Sequence, residues 1–292
     1  MSQPQDKSGL PTTTLADGRT LANAGTRPYK LVAFDVDGTI ADLNTGIIPA
    51  DVRTAIRRIQ SQGVPVVLTT GRAWVAAQEA AGQLGWAQEE TDTQSEYFVC
   101  SNGAVVAQYP PLDILRLSTF TPGDIIDKVA AIPSVILASE EFGVGYRVTQ
   151  YFEPGLLRGE QTLVTPEELK DTQCLKLIVH LGPGSEEDLH SYMADIDFGN
   201  LIVFRGTNHW YDVCPPDTSK ARGLQVVTER LGIDKSEVLA FGDGYNDIEI
   251  LRWAGRGVAL GDAPEEVRAA ADAVTPPFHD GGVLPELARW FG

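Results

Sequence analysis

Cysteine is scarce in this sequence, with three residues among 292, Cys100, Cys174 and Cys214. Their odd number and wide spacing argue against the disulfide framework of a small secreted domain. No two of them form a C-x-x-C pair, so nothing suggests a zinc site or a redox dithiol. We therefore expect reduced thiols in the core of a cytoplasmic protein.

Basic residues are also in short supply. The chain has 23 Lys and Arg against 40 Asp and Glu, so 23 − 40 gives a net charge of −17. Binding to nucleic acid or to an anionic membrane surface needs a basic footprint, and neither partner is expected. The overall field would also repel an anionic small molecule. Such a ligand would need a local cation, supplied by a metal, a lysine or an arginine.

Long apolar runs are absent as well. No stretch approaches the roughly 18 uninterrupted apolar residues that indicate a membrane span. Residues 1–28 are rich in Thr, Gln, Gly and Asp and lack the apolar segment of a signal peptide. We expect them to form a flexible tail. Hydrophobic residues still make up 43% of the chain, which is ordinary for a globular protein.

Two carboxylates follow the first predicted buried strand, residues 31–34. Asp35 and Asp37 stand two residues apart and are followed at once by Gly38. In a doubly wound α/β sheet, ligands lie beyond the carboxyl ends of the strands, so both side chains would share one small site. Their mutual repulsion would be relieved by a cation, and oxygen ligands suit Mg²⁺. The alternative is an Asp-rich turn in which Gly38 supplies a positive φ.

The next two predicted strands also end in polar residues. Residues 64–68 lead into Thr70, Gly71 and Arg72, and residues 97–100 lead into Ser101-Asn102-Gly103. The N–H groups at the start of the helix after Arg72 would form an anion site, although Thr-Gly is also a common strand-to-helix turn. The alternation of strands and helices predicts parallel pairing with right-handed crossovers.

Strands and helices without such motifs fill residues 112–205. We interpret this segment as an α+β domain inserted into a Rossmann-like doubly wound core of residues 29–111 and 206–292. Sequences rich in Gly and Pro near residues 109–111 and 205–208 are expected to be the two linkers. A hairpin in the insert carries four candidates for substrate contact or for surface salt bridges, Glu140, Glu141, Tyr146 and Arg147.

Two further junctions in the second half of the core carry charged residues. Lys220 lies in the first turn of a predicted helix, where a cation opposes the helix dipole by about 0.3–1 kcal/mol if exposed. That position hints at a specific role, although a solvent-facing lysine is the simpler alternative. The strand at residues 238–241 ends in Gly242, and Asp243 and Asp247 follow it.

These junctions, in this order and spacing, resemble the motifs of the haloacid dehalogenase superfamily of Mg²⁺-dependent phosphatases. More narrowly they look like its Cof-type group, in which an α/β cap is inserted between the second and third motifs. The matching segments are Asp35-Val36-Asp37-Gly38-Thr39, Thr70-Gly71-Arg72, Ser219-Lys220 and Gly242-Asp243-Gly244-Tyr245-Asn246-Asp247. The similarity covers about residues 29–292 and is specific only in the core, whereas the cap matches by position and coarse pattern.

The resemblance implies a role for each motif residue. Asp35 would attack phosphorus to form an aspartyl-phosphate, and Asp37 would protonate the leaving oxygen and then activate water. Thr70 and Lys220 would hold the phosphoryl oxygens. Further phosphate- or substrate-binding residues are implied in the second motif, after the third strand and in the fourth motif: Gly71, Arg72, Asn102 and Asn246.

The resemblance also implies a metal site. Mg²⁺ would bind a carboxylate oxygen of Asp35, the backbone carbonyl of Asp37 and a carboxylate oxygen of Asp243. Asp247 would bind the ion directly or through a water molecule.

The predicted function is that of a Mg²⁺-dependent phosphomonoester hydrolase. Its substrates would be sugar phosphates or similar small phosphorylated metabolites, and it would act as a monomer or homodimer. One alternative is a sugar phosphomutase with the same aspartyl-phosphate chemistry. The other is a non-catalytic binding protein that kept the fold.

Overall fold

The computed structural model describes residues 12–18, 20–22, 28–86, 95–123, 125–182, 189–206 and 209–292. Within them the strands are β1 (Thr12–Thr14), β2 (Thr20–Ala22), β3 (Leu31–Phe34), β4 (Val66–Thr69), β5 (Glu96–Cys100), β6 (Val105–Tyr109), β7 (Asp113–Leu117), β8 (Val135–Glu141), β9 (Gly145–Val148), β10 (Glu160–Leu163), β11 (Leu177–Leu181), β12 (Ile202–Arg205), β13 (Trp210–Cys214), β14 (Val238–Gly242), β15 (Arg256–Ala259) and β16 (Ala273–Val274). The α-helices are α1 (Ala50–Ser61), α2 (Trp74–Leu84), α3 (Ile125–Ala130), α4 (Pro166–Lys170), α5 (Leu189–Ala194), α6 (Lys220–Leu231), α7 (Ile248–Trp253), α8 (Glu265–Ala270) and α9 (Leu284–Phe291). No helix in these ranges is both long enough and apolar enough to cross a membrane.

The larger sheet has eight strands in the order β16-β15-β14-β3-β4-β5-β6-β7. Pairing is parallel from β16 to β5, and β6 and β7 add an antiparallel edge. Every residue of β3, β4 and β14 is buried, as expected for parallel strands covered on both faces. The predicted Rossmann-like doubly wound sheet is confirmed.

The order of the strands creates a crevice at one edge of this sheet. From β3 the chain moves outward through β4 and β5, and it later returns to β14 on the other side of β3. Doubly wound sheets bind ligands where the strand order reverses in this way, beyond the carboxyl ends of the strands. The crevice here therefore lies between the ends of β3 and β14.

The smaller sheet has six strands in the order β10-β9-β8-β11-β13-β12. One of its faces packs on α3, α4 and α5 in a separate apolar core that includes Ile126, Leu169 and Leu189. The opposite face carries Ala138 and Ile178, which cluster with Ala73 of the larger unit. The predicted α+β insertion is confirmed, and we call it the cap.

The predicted domain boundaries disagree with the membership of the two sheets. Strand β7 was expected in the cap but pairs with β6 in the larger sheet, while β13 was expected in the core but pairs with β11 and β12. The first supposed linker lies in the turn between β6 and β7. The second lies between the paired strands β12 and β13, and its residues 207–208 are outside the described range. Gly and Pro are common in hairpin turns and in domain linkers alike, which explains why the domain boundaries were predicted at these two segments.

The expected flexible tail is wrong for the part of residues 1–28 that the structure describes. Strands β1 and β2 pair in antiparallel fashion. Leu15, between them, is buried in the main core, and the Ala16 N–H donates to the carbonyl of Leu231 at 3.3 Å. An apolar anchor therefore fixes this hairpin. Residues 1–11, 19 and 23–27 lie outside the described residues.

Candidate active site

Parallel pairing of β3 with β14 brings two acidic junctions to the same edge of the sheet. Phe34 pairs with Phe241, so the residues that follow each strand lie side by side. Carboxylate oxygens of Asp35, Asp243 and Asp247 all lie within 4.8 Å of one another. The strand order alone accounts for this convergence of residues more than 200 positions apart.

Gly38 lets the two junctions approach closely. Its φ is +81°, and a Cβ there would lie 2.3 Å from Oδ2 of Asp243. The adjacent Thr39 hydroxyl donates to the other oxygen, Asp243 Oδ1, at 2.7 Å. Glycine is therefore required for the conformation and for the contact, and the loops after β3 and β14 interlock.

Lys220 lies inside this acidic group and is 1% exposed. Its Nζ donates to Asp35 Oδ1 at 2.6 Å and to Asp247 Oδ1 at 2.7 Å. Burial alone would lower the pKa of Lys220, but the carboxylates of Asp247 and Asp35 raise it above its ordinary value. The side chain is therefore a buried cation, and the solvent-facing alternative is wrong.

Both oxygens of Asp247 are already hydrogen-bonded. Oδ1 contacts Lys220, and Oδ2 accepts the N–H groups of Asp243 at 3.2 Å and Gly244 at 3.0 Å. Asp247 thus holds the ammonium and the turn after β14 at the same time. This arrangement favours an indirect role at a metal site over direct ligation.

The local charge suits a divalent cation. The carboxylates of Asp35, Asp243 and Asp247 with the ammonium of Lys220 sum to −2 when all are ionised. Burial, first, and then the neighbouring carboxylates raise the pKa of Asp243, and burial raises that of Asp35 despite the opposing effect of Lys220. A bound cation would favour the ionised forms, and an all-oxygen donor set fits Mg²⁺.

Asp37 lies at the mouth of the crevice in an ion pair with Arg72. Arg72 Nε contacts Asp37 Oδ2 at 2.7 Å, and Nη2 contacts Oδ1 at 2.5 Å. The pair is bidentate, which fixes the orientation of the carboxylate. Burial would lower the pKa of Arg72, but the hydrogen bonds and charge of Asp37 raise it. Asp37 is 40% exposed, so a substrate could reach it.

The second motif forms a turn that the end of β5 holds in place. The Thr70 N–H donates to the Val99 carbonyl at 2.7 Å, and the Asn102 N–H donates to the Thr70 carbonyl at 3.1 Å. The Ser101 N–H donates to the Arg72 carbonyl at 2.9 Å. We call residues 70–72 the phosphate turn, after the role that the motif implies.

The amides of Asn102 and Asn246 are committed to protein partners. Asn246 Nδ2 donates to Asn102 Oδ1 at 2.9 Å, and Asn102 Nδ2 donates to Asp212 Oδ2 at 2.8 Å. A Cβ on Gly71 would lie 3.0 Å from Asn102 Oδ1, so the amides pack directly against the phosphate turn. The structure therefore brings Asn102 and Asn246 to the predicted site, but as supports for it.

The hairpin candidates of the cap divide into two groups. Glu141 and Arg147 form a surface ion pair with Oε2 and Nε 3.5 Å apart. Glu140 and Tyr146 are buried at the junction with the core, 1% and 5% exposed, and do not line an open cleft. The surface salt bridge, one of the two alternatives for these residues, is confirmed for Glu141 and Arg147.

Sequence reasoning missed two charged residues of the cap, Lys176 and Asp212, which are 3% and 8% exposed. Lys176 Nζ lies 3.2 Å from Asp212 Oδ2 and donates a hydrogen bond to the Gly71 carbonyl of the phosphate turn. A lysine just before a run of buried apolar strand residues was the available signal, because lysine is rarely fully buried without a partner.

Comparison with known proteins agrees with this geometry. Residues 32–287 match the sequence profile of the haloacid dehalogenase-like hydrolases. The phosphoglycolate phosphatase of Archaeoglobus fulgidus is 27% identical over 261 residues, covering 88% of this chain and 95% of that protein. The 5-amino-6-(5-phospho-D-ribitylamino)uracil phosphatase of Bacillus subtilis is 26% identical over 283 residues, covering 91% of this chain and 98% of that protein.

A solved structure gives the same result for the fold. A sugar phosphatase of haloacid dehalogenase subclass IIB aligns with a TM-score of 0.73, covering 89% of this chain and 98% of its own, at 23% identity. At this identity the likeness shows the fold alone, while the profile match spans most of the sequence. The chain therefore belongs to the haloacid dehalogenase-like hydrolase family.

Proposed function

We propose that the protein is a Mg²⁺-dependent phosphomonoester hydrolase that works through an aspartyl-phosphate on Asp35. The observation that carries this proposal is the position of Asp35 in the crevice. A buried ammonium bonds one of its oxygens, and Asp243 offers further oxygen ligands within 4.8 Å. A carboxylate fixed in this way can act as a nucleophile while a cation offsets the charge of the incoming phosphate.

In this proposal Mg²⁺ is held by the carboxylates of Asp35 and Asp243 and by the backbone carbonyl of Asp37. When bound, it would neutralise the negative charge of the phosphoryl group. The candidate ligand atoms favour Mg²⁺, since they are all hard oxygens in a site with excess negative charge. Asp247 supports the site by holding Lys220 and the turn at Asp243.

The protein side chains carry the covalent steps. Asp35 attacks phosphorus, the bond from phosphorus to the leaving oxygen breaks, and Asp37 gives its proton to that oxygen. Asp37 then takes a proton from water as the water attacks the aspartyl-phosphate, which releases inorganic phosphate and restores Asp35. Because Arg72 donates to both oxygens of Asp37 and so pairs with the carboxylate, it must release this side chain, which takes up a proton from solvent, before the first of these transfers. A bound phosphate would offer the guanidinium of Arg72 another anionic partner.

The phosphoryl oxygens have three donors in this scheme. The Lys220 ammonium neutralises charge, the Thr70 hydroxyl donates a hydrogen bond, and so does the Gly71 N–H. Phosphoryl transfer depends on positioning and charge neutralisation of this kind. The cap would cover the crevice, exclude water and contact the leaving group.

We propose that the substrates are sugar phosphates or similar small phosphorylated metabolites. The names of the similar proteins support this class, since they include a sugar phosphatase and a phosphoglycolate phosphatase. We further propose a cytoplasmic location and a monomeric or homodimeric state. The three cysteines are buried and unpaired, which supports a reducing compartment.

The test is phosphate release from a panel of sugar phosphates, nucleotides and cofactor phosphates. We expect release with Mg²⁺, loss of release with EDTA, and recovery when Mg²⁺ is restored. Asp35→Asn should lower turnover by about a thousandfold or more. The matched Asp113→Asn, at an exposed edge strand, should leave turnover unchanged.

Besides a wild type that releases no phosphate, two results would contradict the proposal. One is turnover by Asp35→Asn at the rate of the wild type, which would remove the nucleophile. The other is a product in which the phosphoryl group has moved to a second sugar hydroxyl without release of phosphate. That product would indicate a phosphomutase.

A further inference from the structure

Three charged side chains are buried where the cap meets the core: Lys176, Glu140 and Asp212. Their exposures are 3%, 1% and 8%. We call them the junction cluster. None of them belongs to the four motifs. Burying three charges is unfavourable unless they pair and are hydrogen-bonded, so their contacts indicate what they do.

Lys176 connects the cap to the phosphate turn. Its Nζ donates to the Gly71 carbonyl at 2.7 Å and lies 3.2 Å from Asp212 Oδ2 and 3.8 Å from Glu140 Oε2. Burial would lower the pKa of Lys176, but the nearby Asp212 and Glu140 help to raise it, so the side chain stays cationic. An ammonium from the cap thus holds a carbonyl of the core.

The contact fixes both ends of one peptide group. The Gly71 carbonyl and the Arg72 N–H belong to the same peptide, and that N–H donates to Thr70 Oγ1 at 3.1 Å. A hydroxyl that accepts in this way keeps its own proton for another acceptor. Holding the peptide therefore leaves the Thr70 hydroxyl free to donate to a phosphoryl oxygen.

The same restraint acts on the Gly71 N–H. This group has no protein acceptor in the described part of the chain, so it can donate to a phosphate. Its direction depends on the plane of the peptide before Gly71, which the Thr70 carbonyl anchors through the Asn102 N–H at 3.1 Å. With the next peptide held by Lys176, the backbone is restrained on both sides of Gly71.

We propose that Lys176, a residue of the cap, is a positioning residue for the phosphate turn. It aims the Thr70 hydroxyl and the Gly71 N–H at the phosphoryl group by fixing the peptide between Gly71 and Arg72. This inference rests on the proposed phosphatase function and adds a structural dependence to it. The Thr70 hydroxyl and the Gly71 N–H reach their working geometry only when the cap is docked.

The experiment compares Lys176→Met with Glu140→Gln. Both remove one charge from the junction cluster, but only the first removes the bond to the Gly71 carbonyl. For each protein we would measure kcat/KM on a substrate of the wild type, binding of orthovanadate in the presence of Mg²⁺, and the Mg²⁺ concentration for half-maximal activation. Thermal unfolding would report the folded state.

For Lys176→Met we expect kcat/KM and vanadate affinity to fall together by about 10- to 100-fold, because a misplacement of 1 Å can cost about 100-fold. The Mg²⁺ concentration that gives half-maximal activation should stay unchanged, since the proposed metal ligands lie on the junctions after β3 and β14. Glu140→Gln should keep wild-type values of kcat/KM and vanadate affinity. A purely structural role for Lys176 would lower thermal stability and leave the folded fraction with normal affinity.

If Lys176→Met does not yield folded protein, the double variant Lys176→Met with Asp212→Asn is measured instead. Its second substitution removes the negative charge of Asp212, which the loss of Lys176 would leave unpaired. Folded protein with wild-type kcat/KM and vanadate affinity would overturn the inference while leaving the phosphatase function intact. A wild type that releases no phosphate from the panel would contradict the proposed function instead. A wild type that neither releases phosphate nor binds vanadate would overturn the phosphatase function and the role of Lys176 together.

Discussion

Replacing Gly38 with alanine should separate the two loops that carry the proposed metal ligands. Gly38 follows Asp37 at φ +81°, and the carboxylate of Asp243 from the neighbouring junction occupies the space where a Cβ would stand. The substitution changes no charge and removes no hydrogen-bonding group. Its effects therefore report on geometry alone.

Two contributions to the expected effect can be worked out. Alanine in this left-handed conformation costs about 1–2 kcal/mol of backbone strain. The new Cβ would lie 2.3 Å from Asp243 Oδ2, where contacts shorter than 3.0 Å are essentially never seen, so the carboxylate must retreat by at least 3.0 − 2.3 = 0.7 Å. Metal–ligand distances tolerate only about ±0.2 Å. We expect Mg²⁺ affinity to fall about tenfold or more.

A second glycine provides the control. Gly232, at the end of α6, has φ +67°, and a Cβ added there would meet no other atom within 4 Å, so Gly232→Ala adds the backbone strain without a collision. Urea unfolding of the metal-free proteins should show losses of about 1–2 kcal/mol in both. Calorimetric titration with Mg²⁺ should show weaker binding in Gly38→Ala alone. Equal Mg²⁺ affinity in both variants would refute the idea that Gly38 positions Asp243.

Two further predictions concern the buried charges of the site. Lys220→Met leaves Asp35 and Asp247 without the ammonium that contacts both, and urea unfolding should show a loss of about 3–5 kcal/mol. Lys235→Met, at an exposed position, should leave unfolding nearly unchanged, and equal losses would contradict the assigned pairing. Asp243→Asn should weaken Mg²⁺ binding more than Asp247→Asn in calorimetric titration, because both oxygens of Asp247 are already hydrogen-bonded. The reverse order would make Asp247 a direct ligand.

The acidic half of the site could be predicted from the sequence because a simple rule governs it. Asp35 and Asp243 each follow a short apolar strand, and the carboxyl ends of parallel strands share one edge of the sheet. The rule needs no knowledge of side-chain contacts. Lys220 could be suspected from its unfavourable place in the first turn of a helix, and its two carboxylate partners resolve that anomaly.

The domain boundaries could not be predicted in the same way. Pro110-Pro111 and the segment after Arg205 carry strong turn signals, but a turn signal does not say which sheet its two strands join. Strand β7 is an edge strand whose apolar residues Ile114, Leu115 and Leu117 are exposed or half-buried, so its sequence does not show which sheet it joins. The hairpin at Leu15 has a similar explanation, since the few apolar residues of this polar segment, Leu15, Ala16, Leu21 and Ala22, give no clear periodicity.

The junction cluster was invisible to sequence analysis because it depends on the register of three cap strands. Ile178 of β11 lies opposite Ala138 of β8 and Asp212 of β13. Continuing that register by two residues sets Lys176 opposite Glu140 on the same face, with Asp212 diagonal to it. A slip of one residue in β11 would turn Lys176 toward the helices and away from the Gly71 carbonyl. The alternation of apolar residues along the cap sheet, which packs its own core, therefore also sets the position of a lysine on the phosphate turn.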